Sequence, residues 1–288
     1  MRPYLRQLLL PQLLLPMILL ELLPLSGAAL ASDSAKEQRW AAQLEDQLLE
    51  GKALRLNDGQ RDFLALYTPA LGKTRRGGVI LLHGLGAHPD WPEVIAPLRA
   101  GLPEAGWATL SIQLPVRPNE AEFSDYPPLF PEANARISAA VRHLQQQGLL
   151  NIALVGHSLG AAMGAYFLAQ QSPGSEAIRA FVGIGMNQAP GTVAHTPDSL
   201  ARIKIPVLDI YGELDLRGVL ASARARAMSQ ADNPAYRQVR IPGADHFFQG
   251  LDATLVKRVA SWLKRSAPAS EVANSAAKGL TQDKMDGL

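Results

Sequence analysis

The sequence contains no cysteine among its 288 residues. That excludes disulfides, thiolate metal sites, iron–sulfur clusters, a cysteine nucleophile and a lipid-modified N-terminal cysteine. It also lacks a charge excess of either sign: 28 basic and 26 acidic residues leave a formal charge of +2. A balance that even gives no basic footprint for nucleic acid, and none is expected as a partner. No internal repeat and no Pro/Gly/Ser-rich linker divides the chain, so one large domain is expected. A phosphate-cradling G-x-x-x-x-G-K loop is missing, and the dinucleotide pattern that starts at Gly84 and Gly86 fails at Pro89.

What is present begins with an export signal. Arg2 and Arg6 precede a leucine-rich stretch from Leu8 to Leu25, and Ala29-Leu30-Ala31 fits the A-x-A form of a signal-peptidase site. Residues 1–31 therefore read as a signal peptide, with Ser32 as the mature N-terminus and the periplasm as destination. The competing reading is an uncleaved N-terminal membrane anchor. Against it, Gln12, Glu21, Pro11, Pro16 and Pro24 interrupt the stretch. After cleavage no stable membrane span is expected. An exported domain without disulfides must then be held by its core alone.

Downstream, Ala35 to Leu49 reads as an amphipathic helix with Trp40, Leu44 and Leu48 on one side. Ala53–Leu56 and Phe63–Tyr67 flank the turn signal Asn57-Asp58-Gly59 and predict a hairpin. From Val79 onward, six strand signals alternate with helical ones: 79–82, 108–114, 152–155, 181–186, 207–211 and 238–241. That alternation implies an α/β fold, a mostly parallel twisted sheet with helices on both faces. Residues 32–267 form this domain, and 268–288, poor in large apolar residues, read as a disordered polar tail.

Gly156-His157-Ser158-Leu159-Gly160 matches G-x-S-x-G. The string alone is weak, and a plain glycine-rich turn would satisfy it. Its setting is stronger, because it directly follows one strand and opens a helix, as a nucleophile elbow requires. The Leu159 amide at the helix start would face a developing oxyanion. A serine needs a base. Of six histidines, His246 follows the last strand, at the carboxyl edge where the elbow also lies. His143 reads as a solvated surface residue, His157 stands too close to the serine, and His195 lies in a loop. The histidine needs a carboxylate. Asp215, just beyond the penultimate strand, is the best candidate and Glu213 the near alternative. Asp209, within that strand, should point into packing. The second oxyanion donor falls to the Leu85 amide in His83-Gly84-Leu85-Gly86. His83 and His88 lack a third partner that would make them metal ligands.

On these motifs the chain from about Val79 to Leu263 resembles a serine α/β-hydrolase. Ala87 to Pro92 and Gly106 to Ser111 resemble a largely unassigned proteobacterial exported branch of that superfamily. The resemblance implies an acyl-enzyme on Ser158 that water hydrolyses, with no cofactor and with a small-molecule ester as partner. The same triad would serve an amidase or thioesterase, and a non-catalytic envelope-binding protein is the reading from another class.

Substrate clues are fewer. Only residues 189–204 separate Gln188 from Ile205, so no large cap is expected and soluble or small esters fit best. The loop 115–131 carries Phe123, Tyr126 and Phe130, which either wall the substrate pocket or form a satellite cluster. Asp90 reads as the N-cap of the following helix, with Pro92 in its first turn. Oligomeric state has no signature in the sequence.

Overall fold

A computed structural model describes residues 32–172 and 177–268. The signal peptide expected at 1–31 lies outside the described residues. So does the tail expected at 268–288, from residue 269 onward.

Helix α1 (Ser34–Gln47) starts where Asp33 accepts a hydrogen bond from the Lys36 amide, an N-cap that satisfies an otherwise orphaned donor. Strands β1 (Lys52–Asn57) and β2 (Asp62–Thr68) pair antiparallel as the expected hairpin. Six strands follow: β3 (Gly77–Leu82), β4 (Trp107–Ile112), β5 (Ile152–His157), β6 (Ile178–Ile184), β7 (Val207–Gly212) and β8 (Tyr236–Ile241). The eight form one sheet in the order β1-β2-β4-β3-β5-β6-β7-β8. All pairings from β4 to β8 are parallel, and β2 joins β4 antiparallel.

The helices are α2 (Ile95–Gly101), α3 (Phe130–Gln146), α4 (Leu159–Ala169), α5 (Thr196–Leu200), α6 (Arg217–Ser229) and α7 (Asp252–Ser266). They cover both faces. Alternate side chains of a strand point to opposite sides. Ile80 and Leu82 therefore join a cluster with Ile137, Leu159 and Met163 of α3 and α4, while Val79 and Leu81 join one with Leu98, Val259 and Trp262 of α2 and α7. All six residues of β3, β4 and β5 are buried, as central parallel strands must be. A third, smaller cluster packs α1 onto Leu64 and Leu66 of β2.

Two expectations are corrected. The helix after β3 begins at Ile95, with Val94 as N-cap and no side-chain cap, so Asp90 does not cap it. Asp90 instead pairs with Arg99 at 2.7 Å, because Arg99 is buried and needs an anion within reach. His143 is half-buried rather than fully solvated, with its ring centroid 6.4 Å from that of Tyr67.

Candidate active site

The elbow stands between β5 and α4. Ser158 has φ 54° and ψ −116°, a conformation an L-residue adopts only under constraint. The turn is tight on both sides. A Cβ on Gly160 would lie 2.4 Å from the His83 carbonyl oxygen, and one on Gly156 would lie 2.7 Å from the Ala161 backbone. Only glycine fits at either position. The amide of Ser158 is tied to the Ile184 carbonyl at 2.8 Å, which anchors the turn to β6.

Loops from β5, β7 and β8 converge here, at the carboxyl edge of the sheet. Ser158 Oγ lies 3.0 Å from Nε2 of His246. Nδ1 of His246 lies 2.6 Å from Oδ1 of Asp215. All three residues are buried. The Leu216 amide donates to Asp215 Oδ1 at 2.8 Å, and the Gly212 amide donates to Oδ2 at 3.1 Å. Burial pushes this carboxyl up, but His246 and the two amides outweigh it and hold it below the usual carboxylate value. An ionised Asp215 only accepts, so His246 Nδ1 carries the proton and Nε2 is free to accept from the serine. Glu213 faces elsewhere: it accepts from the Gly243 amide at 3.0 Å and lies 3.3 Å from Arg240.

His157 has its own task. It is too deeply buried to ionise readily, and burial pulls it down to about 4. Its Nε2 donates to the backbone carbonyl of His246 at 3.0 Å and ties the two loops together. His195 pairs with Asp198 at 2.7 Å and does not line the cleft.

The loop after β3 passes close to the serine. A Cβ on Gly84 would lie 3.5 Å from Ser158 Cβ, so the loop that carries Leu85 runs beside the elbow. The amide of Leu159 opens α4, where the helix dipole favours negative charge. Beside Ser158 opens a cleft of about 250 Å³. Its walls are Leu85, Ala87, Trp91, Phe123, Leu216 and Phe247, with Asn187 as the one polar residue outside the triad and its histidine neighbours.

Of the three aromatic residues read as either walling a pocket or forming a satellite cluster, Phe123 lines the cleft. Tyr126 and Phe130 are fully buried in the core. Tyr126 turns its hydroxyl inward to accept from the Arg117 amide at 3.1 Å. Phe130 opens α3 and so faces α4, meeting Tyr166 edge-on at 5.4 Å. Five wall residues are not among the site residues singled out in the sequence: Ala87, Trp91, Asn187, Leu216 and Phe247. Two of these directly follow triad residues, and that adjacency was the signal available.

Residues 27–134 and 129–265 match the family described as "Protein of unknown function (DUF3530)". The chain belongs to that family. No curated protein matches it. Among solved structures, this DUF3530 chain is similar to the dienelactone hydrolase from Anabaena variabilis, at 23% identity and a TM-score of 0.61. That match covers 76% of this chain and 98% of the other. It is also similar to Est1E from Butyrivibrio proteoclasticus, at 16% identity, a TM-score of 0.59, and coverage of 74% and 98%. A third is XC6422 from Xanthomonas campestris, described as an α/β serine hydrolase without lid, at 18% identity, a TM-score of 0.58, and coverage of 77% and 97%. What is shared at these identities is the fold, which is that of the α/β serine hydrolases. Among the described residues, only the short α5 stands between β6 and β7, and no large cap covers the site.

Proposed function

We propose that this protein is a serine hydrolase that cleaves carboxylic esters through an acyl-enzyme on Ser158. The observation that carries the reading is the buried relay from Ser158 Oγ to His246 Nε2 at 3.0 Å and from His246 Nδ1 to Asp215 at 2.6 Å. A binding protein has no use for a serine strained into that geometry.

Ser158 Oγ attacks the acyl carbon while His246 Nε2 takes its proton. The carbonyl oxygen becomes an oxyanion held by the Leu85 and Leu159 amides. The C–O bond to the alcohol then breaks, and His246 returns the proton to the departing oxygen. Water repeats the sequence with His246 as base, which releases the acid and restores the serine. Asp215 keeps His246 in the required tautomer throughout. The apolar walls of the cleft, Leu85, Ala87, Phe123, Leu216 and Phe247 among them, suit an uncharged acyl or alcohol group.

A fluorophosphonate probe tests the reading, together with a panel of p-nitrophenyl esters, an amide and a thioester. Labelling at Ser158 with ester turnover is expected. A well-folded sample that neither labels nor turns over would favour the binding-protein alternative, and faster amide or thioester cleavage would change the substrate class.

We further infer export to the periplasm from residues 1–31, and mass spectrometry of the mature N-terminus tests it. Start at Ser32 is expected; a retained leader would mean an anchor. No helix among the described residues is long and apolar enough to cross a membrane.

A further inference from the structure

We infer that His83 is a positioning residue that aims the Leu85 amide into the oxyanion site, and that α1 holds His83 in place through Glu37 and Arg136. The inference rests on the serine-hydrolase reading. It starts from the peptide unit between Gly84 and Leu85. Because a peptide is planar, fixing the direction of its C=O fixes its N–H on the opposite side. His83 Nδ1 lies 2.9 Å from the Gly84 carbonyl oxygen. The Leu114 amide donates to His83 Nε2 at 2.9 Å. An amide can only donate, so Nε2 is bare and Nδ1 carries the hydrogen that grips Gly84. The ring is fully buried, and burial pulls it down to about 3, so it stays neutral and keeps this tautomer.

His83 therefore depends on the segment 113–117 that follows β4, and α1 clamps that segment. The carboxylate of Glu37 accepts from the Val116 amide at 3.1 Å and pairs with Arg136 at 2.9 Å. Arg136 donates to the Gln113 carbonyl at 3.0 Å, and the Gln113 side-chain nitrogen lies 2.9 Å from His83 Nε2. The Asp33 amide reaches the Val116 carbonyl at 2.7 Å. Besides packing Ala41 onto β2, α1 buries two charged residues, Lys36 and Glu37, and both reach toward this segment. A second contact reaches the loop after β3 that carries His83, where Trp40 of α1 meets His88 at 5.4 Å and His88 meets the cleft residue Trp91 at 5.2 Å.

The test uses the full chain with His83→Asn, His83→Gln and Glu37→Gln. The Asn amide falls near the imidazole Nδ1 position and keeps a donor for Gly84. The Gln amide falls near Nε2 and loses it. Each loses one buried hydrogen bond, so a merely structural histidine would make the two equally poor. The measurements are kcat, KM and the affinity of a trifluoromethyl ketone, whose tetrahedral adduct places an oxyanion in the site. His83→Gln is expected to lose about tenfold or more in kcat, short of the roughly 10²–10³ seen when an oxyanion donor is removed outright. KM should stay within about twofold, and ketone affinity should fall in step with kcat. His83→Asn should lose markedly less. Glu37→Gln should lower kcat and ketone affinity together, by about threefold or more. If that variant does not fold, Glu37→Asp, which keeps the charge and loses the reach, takes its place. Equal kcat for the two His83 variants, or unchanged kcat in the folded Glu37 variant, would overturn the inference. Wild-type labelling by the fluorophosphonate is read alongside. Its failure removes the hydrolase reading and the positioning role together, whereas labelling with equal His83 variants removes the positioning role alone.

Discussion

His246 Nδ1 lies 2.6 Å from Asp215 Oδ1, while Glu213, two residues earlier in the same loop, turns to Arg240 and the Gly243 amide. Asp215, the best candidate by its place in the loop, and Glu213, the near alternative, are thus divided by their partners. Asp215→Asn is expected to lower kcat by about 10⁴, since an amide would favour the wrong tautomer of His246. Glu213→Gln should stay within about threefold of wild type. Ester kinetics on both variants decide between them, and the reverse order would move the acid to Glu213.

Ser158 combines strain with chemistry. Ser158→Ala should abolish ester turnover and leave the melting temperature close to wild type, because the backbone strain remains. Ser158→Gly should also be inactive but should melt at least as high as the alanine variant, since glycine adopts φ 54° without the cost of about 1–3 kcal/mol. A glycine variant melting several degrees below alanine would show that the elbow stores no strain.

Acid should destabilise the fold before it protonates most carboxylates. Burial holds His83 at about 3 and His157 at about 4, both below the ordinary value of 6.5. Below about pH 6.5 the unfolded chain takes up protons at these two positions that the folded chain refuses. Stability is therefore fully present above that pH and falls as pH drops toward about 4, by about 1.4 kcal/mol per unit for each histidine. Glu37, which burial pushes up, acts with the opposite sign and offsets part of this loss. Urea denaturation at pH 7.5, 6 and 5 should show the midpoint falling; a flat profile would mean the two rings ionise freely.

Beneath the site, Arg226 and Asp209 are fully buried and paired at 2.8 Å, and Arg226 also holds the Met186 carbonyl next to the cleft residue Asn187. Removing either partner leaves a buried charge alone. Arg226→Leu and Asp209→Leu should each cost about 3–5 kcal/mol, and the double variant should cost less than the sum. Chemical denaturation of the four proteins measures the coupling, and strict additivity would show that the pair is not energetically linked.

Much of this protein is determined by short-range sequence. Alternation of apolar strands with helical periodicity fixes a parallel sheet, because strands buried on both faces must be apolar throughout. The glycines around Ser158 fix the elbow locally, since no Cβ fits there. The order of serine, acid and histidine then follows from which loops leave the carboxyl edge. Tertiary structure alone decided where loop side chains point. Tyr126 and Phe130 look no different in sequence from Phe123, yet hydrogen bonding to Arg117 and packing on Tyr166 turn them inward. Asp90 resembles a helix cap until the buried Arg99 claims it. The charged face of α1 was hidden for the same reason. Periodicity reports what is apolar, whereas Glu37, Arg136 and Gln113 meet only because the chain brings together residues far apart in sequence.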